Sequence, residues 1–113
     1  MSGAPVLTSR DGAVLTVTLN LAEKRNPISD LVVVDAICDA FEEADRDMSI
    51  RVAILTGAGS AFSSGGDLKT MKPDAGSLRA SLPAQTRRNY RAGIQRLPLM
   101  FHALELPVIA AVN

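Results

Sequence analysis

At 113 residues, 47% apolar and 21% charged, the chain has the size and composition of one globular domain and not of a disordered segment. Twelve basic residues balance twelve acidic ones, so no global field draws in nucleic acid or anionic membrane, although a local basic cluster can serve a phosphate-bearing ligand. A single cysteine, Cys38, and a single histidine, His102, exclude an internal disulfide and any multi-Cys or multi-His metal site.

No apolar run reaches the ~20 residues of a membrane span. Met1-Ser-Gly-Ala-Pro5 carries neither the basic region nor the apolar stretch of a secretory signal. A reducing, cytoplasmic setting is the expectation.

Residues 6–19 read as a β-hairpin, because Asp11-Gly12 is a turn dipeptide with apolar and β-branched residues on both sides and Val14 to Leu19 has strong strand propensity. Asn20 to Pro27 is a polar loop holding Glu23, Lys24 and Arg25. A helix is predicted over 29–46, with Ser29 as N-cap, Asp30 beside it, and Leu31, Val34, Cys38 and Phe41 at helical spacing. Arg51 to Thr56 is a short apolar run that suits a strand buried on both faces.

Gly57 to Gly66 is rich in glycine and serine, and Asp67 to Met71 opens a short helix that Pro73 interrupts. Residues 73–83, with two prolines, a glycine and two serines, predict a mobile surface loop. A helix follows over roughly 84–105, with Tyr90, Ile94, Leu97, Met100, Phe101 and Leu104 on one side and a bend or break at Pro98. Pro107 to Val112 is another buried-strand run. This order implies an α/β layout with a largely parallel sheet. The last strand has no helix after it to cover it, so the chain reads as the first portion of a longer domain.

Three chemistries compete for the Gly57–Lys69 segment. A Walker A loop requires Gly-Lys, and no such pair occurs in the chain. A dinucleotide fingerprint fits Val52-Ala-Ile-Leu-Thr-Gly-Ala-Gly59 at its start, as in short-chain dehydrogenases. It then meets Ala61, Phe62 and Ser63 where further glycines are needed. The third reading centres on Gly65-Gly66-Asp67. Paired glycines ahead of a helix allow close backbone approach and free N–H groups, which can hold a developing anionic oxygen. The plain alternative is a turn with a helix cap.

Asn20-Leu-Ala-Glu-Lys-Arg-Asn-Pro-Ile-Ser29, Arg51-Val-Ala-Ile-Leu-Thr-Gly-Ala-Gly-Ser-Ala-Phe-Ser-Ser-Gly-Gly-Asp-Leu-Lys69 and Leu106-Pro-Val-Ile-Ala-Ala-Val-Asn113 follow one another along the chain. In order and spacing these three segments resemble the crotonase (enoyl-CoA hydratase/isomerase) superfamily. The resemblance implies an α/β crotonase-like (ClpP/crotonase) ββα spiral, incomplete in residues 1–113. It also implies an acyl-CoA enzyme that stabilises a thioester enolate, most commonly an enoyl-CoA hydratase.

By the same resemblance Gly66 supplies one N–H of an oxyanion hole. The second donor and the acid/base carboxylates fall after Asn113, so the 113 residues alone are expected to be inactive. Lys24, Arg25, Asn26, Ser64, Gly65, Asp67, Leu68 and Lys69 match the segments that meet coenzyme A. No separate cofactor and no metal are implied, coenzyme A entering as part of the substrate. Homotrimers or hexamers are the family's usual assemblies, with no nucleic-acid or membrane partner.

Read without the resemblance, Lys24 and Arg25 are solvated surface charges and Asp67 is a helix cap. Two positions depart from the family's pattern. Leu21-Ala22 stands where Arg-Pro is usual, and Asn26-Pro27 where Asn-Ala is usual, so the N–H at 27 is lost to any ligand. His102 lacks a Ser or Asp partner at recognisable spacing and reads as a surface or core residue. Cys38, on the apolar face of the first helix, reads as a buried small hydrophobe, and Tyr90, Met100 and Phe101 as core or subunit-contact residues. Isomerisation, dehalogenation, hydrolysis or decarboxylation on the same scaffold are rival reactions. A catalytically silent scaffold and an NAD-dependent short-chain dehydrogenase are rivals of other classes.

Overall fold

Alternation along residues 14–19 decides where the core lies. In the computed structural model, which describes residues 3–72 and 78–113, Leu15, Val17 and Leu19 are buried while Thr16 and Thr18 are half-buried on the other face. These residues form β2 (Val14–Leu19), paired antiparallel with β1 (Val6–Asp11). The turn sits at Gly12–Ala13, with Gly12 at φ 61°. β3 (Val52–Gly57) then lies parallel to β2, and β4 (Val108–Ala110) parallel to β3, giving the order β1-β2-β3-β4.

The crossover from β2 to β3 is α1 (Leu31–Arg46). Its inner face carries Val33, Val34, Ile37, Cys38, Phe41 and Ala44, packed onto Leu15, Val17, Leu19 and Ala53. The expected seam is shifted at its start, because Leu31 in the first turn is 54% exposed and Val33 takes the inward position. Phe41 is fully enclosed and meets Phe101 edge to face at 4.9 Å. The N-cap is Asp30, not Ser29. Asp30 Oδ1 accepts from Val32 N at 3.1 Å, and Ser29 is buried with its hydroxyl turned elsewhere.

The predicted helix over 84–105 is two helices, α2 (Pro83–Ala92) and α3 (Arg96–Ala103). The break comes at Gly93, whose φ of −114° and ψ of −116° leave the helical region, and not at Pro98. Pro98 occupies the third position of α3, where an N–H has no helical partner to lose. Leu97 and Met100 are buried against α1, while His102 is exposed. Asp45 on α1 accepts from Glu105 N at 3.1 Å and Leu106 N at 2.9 Å, which fixes the turn into β4.

β4 is shorter than the predicted run and is not buried on both faces. It holds the sheet's edge among the described residues, with Ile109 56% and Val112 72% exposed. β3 is likewise half-buried outside Ala53 and Gly57. Of the predicted mobile loop, 73–77 lie outside the described residues and 78–82 are tied down. Leu78 is 3% exposed, its carbonyl accepts from Asn89 Nδ2 at 3.0 Å, and Ala80 N donates to Thr86 Oγ1 at 2.9 Å. Among the described residues no helix is long and apolar enough to cross a membrane.

One electrostatic cluster joins the hairpin to the end of α1. Arg10 Nη2 donates to Ser49 O at 3.1 Å and to Ser49 Oγ at 2.6 Å, and Ser49 N and Oγ both donate to Asp47 Oδ1. The bonds from Ser49, with Arg10 nearby, hold the Asp47 carboxyl below its ordinary value. A depressed folded value means the folded chain binds fewer protons than the unfolded one. The contribution is therefore complete above the unfolded value and is lost as pH falls through the folded one. Melting temperature is expected to fall less on acidification in Asp47→Asn than in the native chain, and parallel curves for the two would exclude this contribution.

Candidate functional site

β2 and β3 are parallel neighbours, so the loops after Leu19 and Gly57 leave the same end of the sheet side by side. Open α/β sheets place ligands at that end. The two loops are sewn together mainly by Asn26. Its side chain is 1% exposed, with Oδ1 accepting from Leu21 N at 2.8 Å and Nδ2 donating to Ala58 O at 3.1 Å and Ala61 O at 3.0 Å. Arg25 and Asn26 both take left-handed backbone, φ 60° and 55°, held by Arg25 N donating to Ala22 O and Asn26 N to Leu21 O.

Main-chain bonds continue the seam. Ser64 N donates to Arg25 O at 2.8 Å, and Ile28 N donates to Gly65 O at 2.9 Å, with Pro27 and Gly65 forming a parallel bridge. The pairing uses the N–H of Ile28, so the N–H that Pro27 lacks costs it nothing. Gly57 lies under this crossing. A Cβ there would strike Phe62 O and come within 2.6 Å of Ala61 O and 2.8 Å of Asn26 Nδ2. Asn113 Nδ2 closes the other side, donating to Gly57 O at 2.9 Å and Gly59 O at 3.0 Å.

The segment 63–67 is set residue by residue. Ser63 Oγ donates to Asn26 O at 2.7 Å and accepts from Gly65 N at 3.0 Å. Gly65 turns at φ 81°, a conformation that favours glycine. Asp67 N donates to Ser29 Oγ at 3.0 Å, and Asp67 Oδ1 accepts from Lys69 N at 3.0 Å to cap the 3₁₀ turn Leu68–Met71. The N–H of Gly66, between two bonded neighbours, makes no hydrogen bond among the described residues.

Gly66 lines an open cleft of about 540 Å³ together with Lys24, Pro27, Ser64, Asp67, Leu68 and Lys69. Six of the nine predicted site residues thus meet at one place: Lys24, Ser64, Gly66, Asp67, Leu68 and Lys69. Arg25, Asn26 and Gly65 do not line it. The Asn26 side chain is spent on the inter-loop bonds, and Arg25 and Gly65 contribute carbonyls to the seam. Pro27, Ser29 and Ser63 were not singled out as site residues. Ser29 looked like a helix cap, and only the long-range contact to Asp67 distinguishes it.

The lining mixes two ammonium groups and the Asp67 carboxylate with apolar surface and with the N–H groups of Gly66 and Leu68, which make no hydrogen bond among the described residues. Such a surface accepts an anionic, partly apolar ligand. Elsewhere, burial pushes the Cys38 thiol above its ordinary value, which makes it an inert core residue. Among the described residues no three His, Cys, Asp or Glu side chains converge as a metal site would need.

A mixed sheet, parallel from β2 to β4, with an open cleft beside the loops that follow β2 and β3 defines an α/β protein. The chain belongs to the enoyl-CoA hydratase/isomerase family, whose model matches residues 9–113. It is 37% identical to an enoyl-CoA hydratase of Mycobacterium tuberculosis, over 99% of this chain and 40% of that protein. It is 32% identical to a 1,2-epoxyphenylacetyl-CoA isomerase of Escherichia coli, over 96% of this chain and 39% of that protein. The fold superimposes on an enoyl-CoA hydratase/carnitine racemase of Magnetospirillum magneticum with a TM-score of 0.82 and 32% identity, covering 98% of this chain and 39% of that one. The architecture is therefore crotonase-like, and the chain spans about 40% of the length of these relatives.

Proposed function

We propose that residues 1–113 form the amino-terminal portion of an acyl-CoA enzyme that stabilises a thioester enolate, with hydration of a 2-enoyl-CoA as its reaction. One observation carries this reading: the N–H of Gly66, unengaged among the described residues, in a cleft flanked by Lys24 and Lys69. In syn-hydration a water oxygen bonds to C3 of the enoyl chain and a proton is delivered to C2. Charge passes onto the thioester oxygen on the way, and a preorganised amide at that oxygen lowers the barrier.

Lys24 and Lys69 take the phosphate-bearing end of coenzyme A, and Pro27 and Leu68 offer apolar surface to its pantetheine arm. Coenzyme A enters with the substrate, and no further cofactor or metal is invoked. Asp67 is the one carboxylate lining the cleft, and one of its oxygens is held by Lys69 N–H. Proton transfer is therefore assigned to carboxylates outside this chain, as is the second oxyanion donor. Assembly as a homotrimer or hexamer in the cytoplasm, without membrane or nucleic acid, completes the reading.

Isomerisation of an enoyl-CoA is the second reading. It is favoured by 32% identity to a peroxisomal enoyl-CoA delta isomerase of mouse. The two separate in one assay on the protein that carries this sequence. Loss of the conjugated enoyl absorbance of crotonyl-CoA reports hydration, and its gain from a 3-enoyl-CoA reports isomerisation. Absence of both turnover and heat protection by coenzyme A would contradict the acyl-CoA reading, and protection by NAD(H) would favour a dehydrogenase. The 113 residues alone are expected to give no hydration, and measurable hydration would refute that.

A further inference from the structure

The donors on either side of Gly66 are tied to two serine hydroxyls, and the direction of the Gly66 N–H is set by the bond to the carbonyl before it. Gly65 N is bonded to Ser63 Oγ and Asp67 N to Ser29 Oγ, each at 3.0 Å. The carbonyl of Gly65 accepts from Ile28 N at 2.9 Å. In a planar trans peptide the C=O of one residue and the N–H of the next point in opposite directions. Anchoring Gly65 O on Ile28 therefore turns the Gly66 N–H away from the 28–29 segment. Ser29 Oγ then holds the following peptide through Asp67 N and so fixes the Cα of Gly66, the pivot about which the 65–66 peptide would turn. Ser29 is 4% exposed and does not cap α1, a task that Asp30 performs.

We propose that Ser29 is a positioning residue for the oxyanion-stabilising amide of Gly66, acting through the N–H of Asp67 and making no contact with substrate. This deepens the acyl-CoA reading above and rests on it. Without the hydroxyl, the Asp67 N–H loses its acceptor and the 66–67 peptide is free to tilt. A developing charge is sensitive to the aim of its donor, and a misplacement of about 1 Å can cost about 10²-fold in rate. The cleft walls that take the coenzyme A end do not depend on that aim.

The test uses the protein that carries this chain, with Ser29→Ala, Ser29→Thr and a chromophoric aryl-enoyl-CoA whose absorption moves to the red when its carbonyl is polarised. Ser29→Ala is expected to lower kcat by about tenfold or more and to shrink the red shift, while affinity for free coenzyme A changes by about twofold at most. Ser29→Thr, which keeps the hydroxyl, is expected to recover most of the shift. An undiminished shift and kcat in Ser29→Ala would overturn the proposal, as would equal losses in kcat and coenzyme A affinity. If Ser29→Ala does not fold, Ser29→Cys offers sulfur as a weaker acceptor. A reduced shift at unchanged coenzyme A affinity would then support the role, and an unchanged shift would overturn it. Absence of both turnover and red shift in the native protein would instead remove the acyl-CoA reading itself.

Discussion

Gly66→Pro is expected to lower kcat of the intact enzyme by about 10²–10³-fold, while coenzyme A affinity falls by a few-fold at most. Proline deletes the Gly66 N–H, which is unengaged among the described residues, and leaves the charges of Lys24 and Lys69 in place. An oxyanion donor acts on the transition state far more than on the bound ground state, so the loss belongs to turnover. Gly66→Ala is the control, because it keeps the N–H. Its Cβ would overlap Met71 Cε, the mobile end of an unbranched side chain that can give way, and the φ of Gly66 lies outside the left-handed region. Steady-state kinetics with calorimetric coenzyme A titration separates the cases. Equal losses in kcat and affinity for Gly66→Pro, or equal kcat losses for both variants, would indicate a packing defect.

Asn26→Asp is expected to destabilise the fold by about 3–5 kcal/mol at neutral pH, although it changes one atom type in one side chain. The native Nδ2 donates to Ala58 O and Ala61 O from a position 1% exposed. A carboxylate would aim a charged acceptor at two carbonyl oxygens and leave them unpaired. The introduced carboxyl would have a folded pKa raised above its unfolded value of about 3.9, since only its protonated form can donate. A raised folded value means the folded chain binds more protons, so stability falls as pH rises from the unfolded value through the folded one. Urea denaturation across pH is therefore expected to show the deficit smallest in acid and growing toward neutrality. A deficit independent of pH would remove the two carbonyls as its cause.

Much of the fold is legible where periodicity is strong. The threonine alternation of 14–19, the helical spacing of Val34, Cys38 and Phe41, and the apolar run from Val52 each mark a real element. The helix break was misplaced because proline is penalised by its missing N–H only beyond the first turn, where Pro98 does not lie. Glycine at 93 was the actual breaker. The strand at 108–110 is apolar without being buried, since pattern shows what a residue prefers to meet and not what lies against it.

The cleft was legible through its glycines and lysines, whose chemistry is local. What sequence could not show is how Asn26 serves. Its partners at 58 and 61 are more than thirty positions away, and only the parallel pairing of β2 with β3 brings the two loops together. Ser29 is the same case. A serine before a helix reads as a cap, and its true partner, Asp67 N, lies across the loop crossing.

A crystal structure of the protein with a saturated acyl-CoA thioester bound puts the position of Gly66 to the most direct test. The expected complex has the thioester oxygen about 2.7–3.1 Å from Gly66 N and the coenzyme A phosphates toward Lys24 and Lys69. A thioester oxygen held by other groups, with Gly66 N turned to water or to protein, would contradict it.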